Sequence, residues 1–227
     1  MTFSLLARDA GSGALCGAAA TGSLCVGGWV LRGDSRAGIS ASQGAAPSHL
    51  WGEDVIEALR GGEDADAAVA RITGADAGRA ARQLSALGRR GPGAAFTGAG
   101  NTDWKGARTG ADWVVAGNML AGAQVLDALR AGFERAAGPL PDRLLAALRA
   151  ADAAGGDFRG LQSAALLVLH DDAAPLTLRV DWAEAPLDAL EALLARTREP
   201  DYARWLPTVP TRAAPGRAGA APPAASR

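Results

Sequence analysis

The chain has 227 residues, about one and a half times a typical ~150-residue domain, enough for one large domain with a real core. Hydrophobic residues make up 48% and charged residues 21%, and 23 basic against 24 acidic side chains leave a net charge of −1. That balance excludes a disordered chain, and it argues against nucleic acid as a partner because phosphate neutralisation needs a clustered basic excess.

The first third alternates short apolar segments with glycine-rich turns. Residues 3–7, 14–21, 26–31 and 37–41 read as four strands, mostly in antiparallel hairpins. From Trp51 the period changes to three and four. Val55 and Leu59, then Ala68, Val69 and Ile72, and then residues 75–87 read as two or three helices. Gly61-Gly62 and Thr73-Gly74 are their stops, and Asp64 and Asp76 stand near the following helix starts.

A second strand group is expected over 94–97, around Trp104 and over 113–116. Helices follow over 123–137 and 142–153, then a hairpin of 163–170 with 176–182, and a last helix opening at Pro186 and running to 198. Strands grouped apart from helices imply an α+β layered domain rather than a doubly wound sheet. The domain is expected to span residues 1–206. Residues 207–227, rich in Pro, Ala, Gly and Arg, are expected to be a disordered tail.

No apolar run reaches the ~18 residues of a membrane span. The N-terminal segment lacks the basic start of a secretory signal. Two cysteines and two histidines suggest neither a disulfide framework nor a metal site. The expectation is a cytoplasmic protein without metal or cofactor, with no membrane or nucleic-acid partner, acting on a small molecule.

Most nucleophile and cofactor motifs are missing. There is no G-x-x-x-x-G-K-[ST], no G-x-S-x-G and no H-E-x-x-H. His170 closes a strand at a turn and reads as a surface residue, while His49 lies in a proline-containing loop where it could touch a pocket. Cys16 and Cys25 read as inert thiols in buried strands. Lys105 is the only lysine, so any mechanism with a lysine base must use it.

Met1-Thr2 offers another route. A small second residue favours removal of the initiator methionine, which leaves a threonine with a free α-amine. Its hydroxyl is then a nucleophile with a built-in base, since an α-amine with a pKa near ~8 is partly neutral at cytoplasmic pH. On the residues alone, Thr2 reads as merely the first residue of a strand. In that strand Thr2 and Ser4 share one face, and Phe3 and Leu5 take the other.

Several segments, in order, resemble one uncharacterised domain family (domain of unknown function ten-twenty-eight). They are Thr2-Phe3-Ser4-Leu5-Leu6-Ala7-Arg8-Asp9, Ser42-Gln43, Arg82-Gln83-Leu84, Thr97-Gly98-Ala99, Trp104-Lys105-Gly106, Gly117-Asn118-Met119-Leu120, and the run from Gly155-Gly156-Asp157 to Ser163-Ala164. The resemblance covers some four fifths of the chain. It implies the N-terminal nucleophile (Ntn) hydrolase fold, a four-layer αββα sandwich, and cleavage of a small-molecule amide through an acyl-enzyme on Thr2. It further implies a homodimer or higher homo-oligomer.

Asp157 and Asn118 join Thr2 as catalytic candidates. Ser4, Asp9, Gln43, Arg159, Gln162 and Ser163 are substrate-binding candidates. The amides of Gln43 and Asn118 can orient a substrate or donate to an oxyanion without adding charge. Asp157 with Arg159 can recognise an amide or a carboxylate. Two other readings stay open: hydrolysis centred on Asp157, and a non-catalytic protein of the same fold that binds a small metabolite or serves in assembly.

Overall fold

The fold is given by a computed structural model that describes residues 2–219. Strand β1 (Thr2–Arg8) is covered on both faces, and the alternation of its side chains separates two cores. Phe3, Leu5 and Ala7 face one layer and Leu6 faces another.

β1 sits in the middle of a six-stranded antiparallel sheet. Its neighbours are β2 (Leu15–Thr21) and β8 (Trp113–Asn118). Beyond them lie β9 (Ser163–His170), β10 (Ala173–Val180) and β7 (Gly106–Thr109), in the order β10-β9-β2-β1-β8-β7. A second antiparallel sheet holds β3 (Leu31–Asp34), β4 (Gly38–Gly44), β5 (Arg82–Gly88) and β6 (Ala94–Thr97), in chain order.

Three apolar layers bind these sheets to each other and to helices. On the Phe3–Leu5 face, Leu126 and Leu129 of α4 (Gln124–Arg135) pack with Leu144 and Leu148 of α5 (Leu140–Ala153) and Leu190 of α6 (Pro186–Arg196). Between the sheets, Leu6, Leu15, Ile39, Leu87 and Val114 interdigitate. On the far side of the second sheet, Leu84 and Ala86 meet Trp51, Val55 and Leu59 of α2 (His49–Arg60) and Val69 and Ile72 of α3 (Ala65–Gly74). At roughly 1.5–3 kcal/mol per buried large aliphatic side chain, each layer contributes substantially to stability. Among the described residues, no helix is long and apolar enough to cross a membrane.

The structure corrects several expectations. Residues 26–31 are not one strand: α1 (Val26–Trp29) is a single helical turn, and the strand begins at Leu31. A six-residue apolar run does not distinguish these outcomes by period. Residues 75–87 are not helical throughout, since a 3-10 turn at Arg79–Ala81 leads into β5. That strand is buried on both faces, so it lacks the apolar–polar alternation that marks a half-exposed strand. The strand expected around Trp104 starts two residues later, at Gly106. A further helix, α7 (Pro200–Trp205), follows α6.

Residues 207–219 lie against the domain instead of standing clear of it. Thr211 is buried, Arg212 pairs with Asp34 at 3.1 Å, and the Ala213 amide donates to the Asp171 carbonyl. The rest of the expected tail, 220–227, falls outside the described residues.

Cys16 is buried in β2, where desolvation pushes its thiol up to about 12. Cys25 is not in a strand. It is half-buried and precedes α1 in a left-handed conformation. Trp51 is core, whereas Trp29 and Trp182 are exposed.

Candidate active site

Antiparallel pairing brings the start of β1, the ends of β2 and β8, and the start of β9 to one end of the first sheet. Thr2 is the register partner of Asn118, and Thr21 is that of Ser163. The second sheet presents the end of β4 and the start of β5 at the same place, with Gln43 paired to Gln83. A cavity of about 470 Å³ opens there, lined by Thr2, Thr21, Gln43, Met119 and Arg159 together with the 23–30 and 44–47 segments. This lies within the size range of small-molecule sites.

Thr2 is buried, and its hydroxyl donates to Thr21 Oγ1 at 3.3 Å. Beneath it lies a network of three buried amides whose orientation follows from one end. Gln83 Nε2 donates to the main-chain carbonyls of Gly106 and Gly117, each at 3.0 Å, and to Thr97 Oγ1 at 2.9 Å. A carbonyl only accepts, so Gln83 must turn its nitrogen that way and offer Oε1 on the other side. That oxygen accepts from Gln43 Nε2 at 2.7 Å and from Asn118 Nδ2 at 3.2 Å. Gln43 Nε2 also reaches the Thr2 carbonyl at 3.4 Å.

With their nitrogens committed, Gln43 and Asn118 keep their oxygens free. Gln43 Oε1 and Asn118 Oδ1 are buried acceptors without a partner among the described residues, and so is Ser4 Oγ. Unsatisfied buried polar atoms are uncommon and call for an explanation. The two amide oxygens belong to side chains that flank residue 2, one hydrogen-bonded to its carbonyl and one opposite it in the sheet. The amides therefore present acceptors, while the Gln43 nitrogen is engaged by Gln83 and Thr2.

Asp157 sits behind the cavity wall. Its side chain is fully buried, and it accepts from the Gly22 amide at 2.6 Å, the Arg159 amide at 2.8 Å, and Arg159 Nε and Nη2 at 3.4 and 3.2 Å. Gly22 must be glycine for this approach: a Cβ there would lie 2.7 Å from Asp157 Oδ2 and 2.5 Å from the Gly160 carbonyl. Both oxygens of Asp157 are thus engaged, by the Gly22 amide and by Arg159. Ser163 has a similar duty, accepting from the Val26 amide at 3.1 Å and donating to the Ser23 carbonyl at 2.8 Å, which ties down the loop that walls the cavity.

Other expected site residues do not converge. Asp9 lies just past the opposite end of β1, roughly 20 Å from Thr2 at a strand rise of about 3.3 Å per residue. There the Ser12 hydroxyl and amide, with Arg143 beside them, hold its carboxyl below the usual range. Gln162 is exposed, and its amide donates to the Thr21 carbonyl. Lys105 stands outside the strands in an ion pair with Asp103, and His49 is exposed at the start of α2 against the edge of Trp29.

Thr21, Gln83, Asn101 and Met119 were not among the expected site residues. Asn101 accepts from the Ala45 amide at 2.9 Å and donates to the carbonyls of Arg82 and Gly98, which fixes the 44–45 wall. Met119 and Cys25 are the two non-glycine residues with positive φ among the described residues; Met119 lines this cavity, and Cys25 lies between its lining residues Leu24 and Val26. Left-handed backbone at a non-glycine residue costs energy and concentrates at functional sites. A cavity of about 600 Å³ between the β3–β4 turn and residues 210–215 lacks these features, and its Asp34 is already paired with Arg60 and Arg212.

Residues 2–190 match the family described as "Family of unknown function (DUF1028)". The chain belongs to this family. The match begins at Thr2 and takes in all the cavity-lining residues. The chain is also similar to a solved DUF1028 structure, protein SPO2555 from Silicibacter pomeroyi. The two are 51% identical, with 96% of this chain and 98% of that chain covered and a TM-score of 0.91. None of the curated proteins matches this chain.

Proposed function

We propose that the chain is an N-terminal nucleophile amidohydrolase that cleaves a small-molecule amide through an acyl-enzyme on Thr2 after removal of Met1. The observation that carries this reading is the pair of unpartnered buried acceptors, Gln43 Oε1 and Asn118 Oδ1, beside residue 2. A free α-amine at Thr2 would supply the donors that these oxygens lack. Two N–H groups held by two acceptors would leave the amine lone pair directed elsewhere, available as a base. The order of layers, helices on each outer face of two stacked sheets, is the order expected of the Ntn sandwich.

In the proposed reaction Thr2 Oγ attacks the amide carbonyl carbon while the α-amine takes the hydroxyl proton. The C–N bond then breaks, and the same proton passes to the departing amine. A water molecule attacks the resulting ester, gives its proton to the α-amine and releases the carboxylic acid, which restores the hydroxyl. Neither histidine nor lysine lines the cavity among the described residues, so the α-amine has no side-chain rival as base there.

The test is release of primary amine by the purified full-length protein from a panel of N-acyl amino acids, ureido acids and γ-glutamyl compounds. The expected result is turnover of at least one class. No turnover of any class by protein whose intact mass shows loss of Met1 counts against the reading.

A further inference from the structure

We infer that Arg159 is a carboxylate-binding residue and that the cavity takes a monoanionic amide, with a carboxylate at one end and an apolar group at the other. This rests on the reading of the Thr2 cavity as the active site. Arg159 is the one charged side chain lining that cavity among the described residues. A cationic ligand group would find no partner there, whereas an anionic group finds one.

The guanidinium is held in place before any ligand arrives. Its Nε and Nη2 lie against the buried carboxylate of Asp157, which the amides of Gly22 and Arg159 also fix. Nη1 has no acceptor among the described residues, and the side chain is 38% exposed at the wall. A guanidinium offers five donors in a plane, and this contact uses only one edge of it. The remaining donors are pre-oriented, so a carboxylate binds without ordering a flexible side chain. Asp157 neutralises part of the charge, which favours a single carboxylate over a dianion such as a phosphate.

The rest of the wall sets the other end of the ligand. Leu24, Val26, Trp29, Val30 and Pro47 form an apolar surface, and Leu24 and Trp29 are half-exposed there. An aliphatic or aromatic group laid on this surface leaves the amide near the hydroxyls of Thr2 and Thr21.

The experiment compares N-acetyl-L-leucine with its uncharged counterpart N-acetyl-L-leucinamide by titration calorimetry. Both are titrated into wild type and into Thr2→Ala, which removes the proposed nucleophile and allows binding to be read without turnover. A charge-assisted contact predicts that the carboxylate binds about ten- to a hundred-fold tighter than the carboxamide. Arg159→Gln should erase that preference, and Arg159→Lys, which keeps the charge near Asp157, should retain part of it. Equal affinities in wild type, a preference that survives Arg159→Gln in folded protein, or no binding of either compound would overturn the inference. Preferential carboxylate binding together with no amine release from any class of the panel in wild type would instead overturn the Thr2 mechanism and leave the role of Arg159 standing.

Discussion

Replacing Thr2 with alanine is expected to lower amide turnover by roughly three orders of magnitude or more, the scale seen when a covalent nucleophile is removed. Alanine is also small, so the proposed removal of Met1 is not impeded and the α-amine is unchanged. The variant differs only in the hydroxyl and its methyl group. Thr2 is the first residue of β1 and its hydroxyl makes one hydrogen bond, to Thr21, so the melting temperature should move by only a few degrees. Thr2→Ser keeps both hydroxyl and amine and should retain measurable activity. Full turnover by Thr2→Ala on a substrate cleaved by wild type would place the nucleophile elsewhere.

The second large effect is expected at Gln83. Leucine has a similar volume but offers neither donor nor acceptor. Gln83→Leu would take the Oε1 acceptor from the Gln43 and Asn118 nitrogens, leaving Gln43 only its longer bond to the Thr2 carbonyl, and would take the Gln83 donor from the carbonyls of Gly106 and Gly117. Gln83 is fully buried, so water cannot substitute readily. At about 1–3 kcal/mol for each stranded buried group, the loss should reach about 4 kcal/mol or more. For a domain of this size that corresponds to a fall in Tm of roughly 10 °C. Because Gln83 also orients the two amides beside residue 2, turnover should fall even where the variant remains folded. A Tm within 2 °C or so of wild type, measured by scanning calorimetry, would show that the network contributes little.

The parts of this molecule that were legible in the sequence are those whose two faces carry different residue types, or where a turn residue ends an element. The alternation through Thr2, Phe3, Ser4 and Leu5 was readable because one helix layer and one sheet layer claim opposite faces of β1. The apolar spacing of Val55 and Leu59, and of Leu144 and Leu148, was readable because each helix packs on a single side. By contrast β5 is covered by helices on one face and the first sheet on the other, and its Leu84, Ala86 and Leu87 mimic a helical period. Reading that segment as helix hid Gln83, whose importance lies in meeting Gln43 on the neighbouring strand and Asn118 on the other sheet.

The candidate site was partly legible for the same reason. Residues at the ends of strands, such as Thr2, Gln43 and Asn118, converge because antiparallel register brings those ends together. Asp9 fails to join them because it lies just past the other end of β1. Asp157 and Arg159 are two residues apart but divide their duties. The buried carboxylate anchors, and the guanidinium beside it reaches the cavity. Neither the depth of Asp157 nor the fit of Gly22 against it can be read from chain order, since the contact spans more than a hundred residues.

The most direct test of the central claim is the mass of the N-terminal peptide after the purified protein is incubated with a β-lactone, an electrophile that acylates an activated hydroxyl. The account predicts a peptide that begins at Thr2 and carries one acyl group released by hydroxylamine, as an ester on Oγ would be, and predicts no such group in Thr2→Ala. A peptide that still begins at Met1, or an ester-linked label found at another residue, would contradict it.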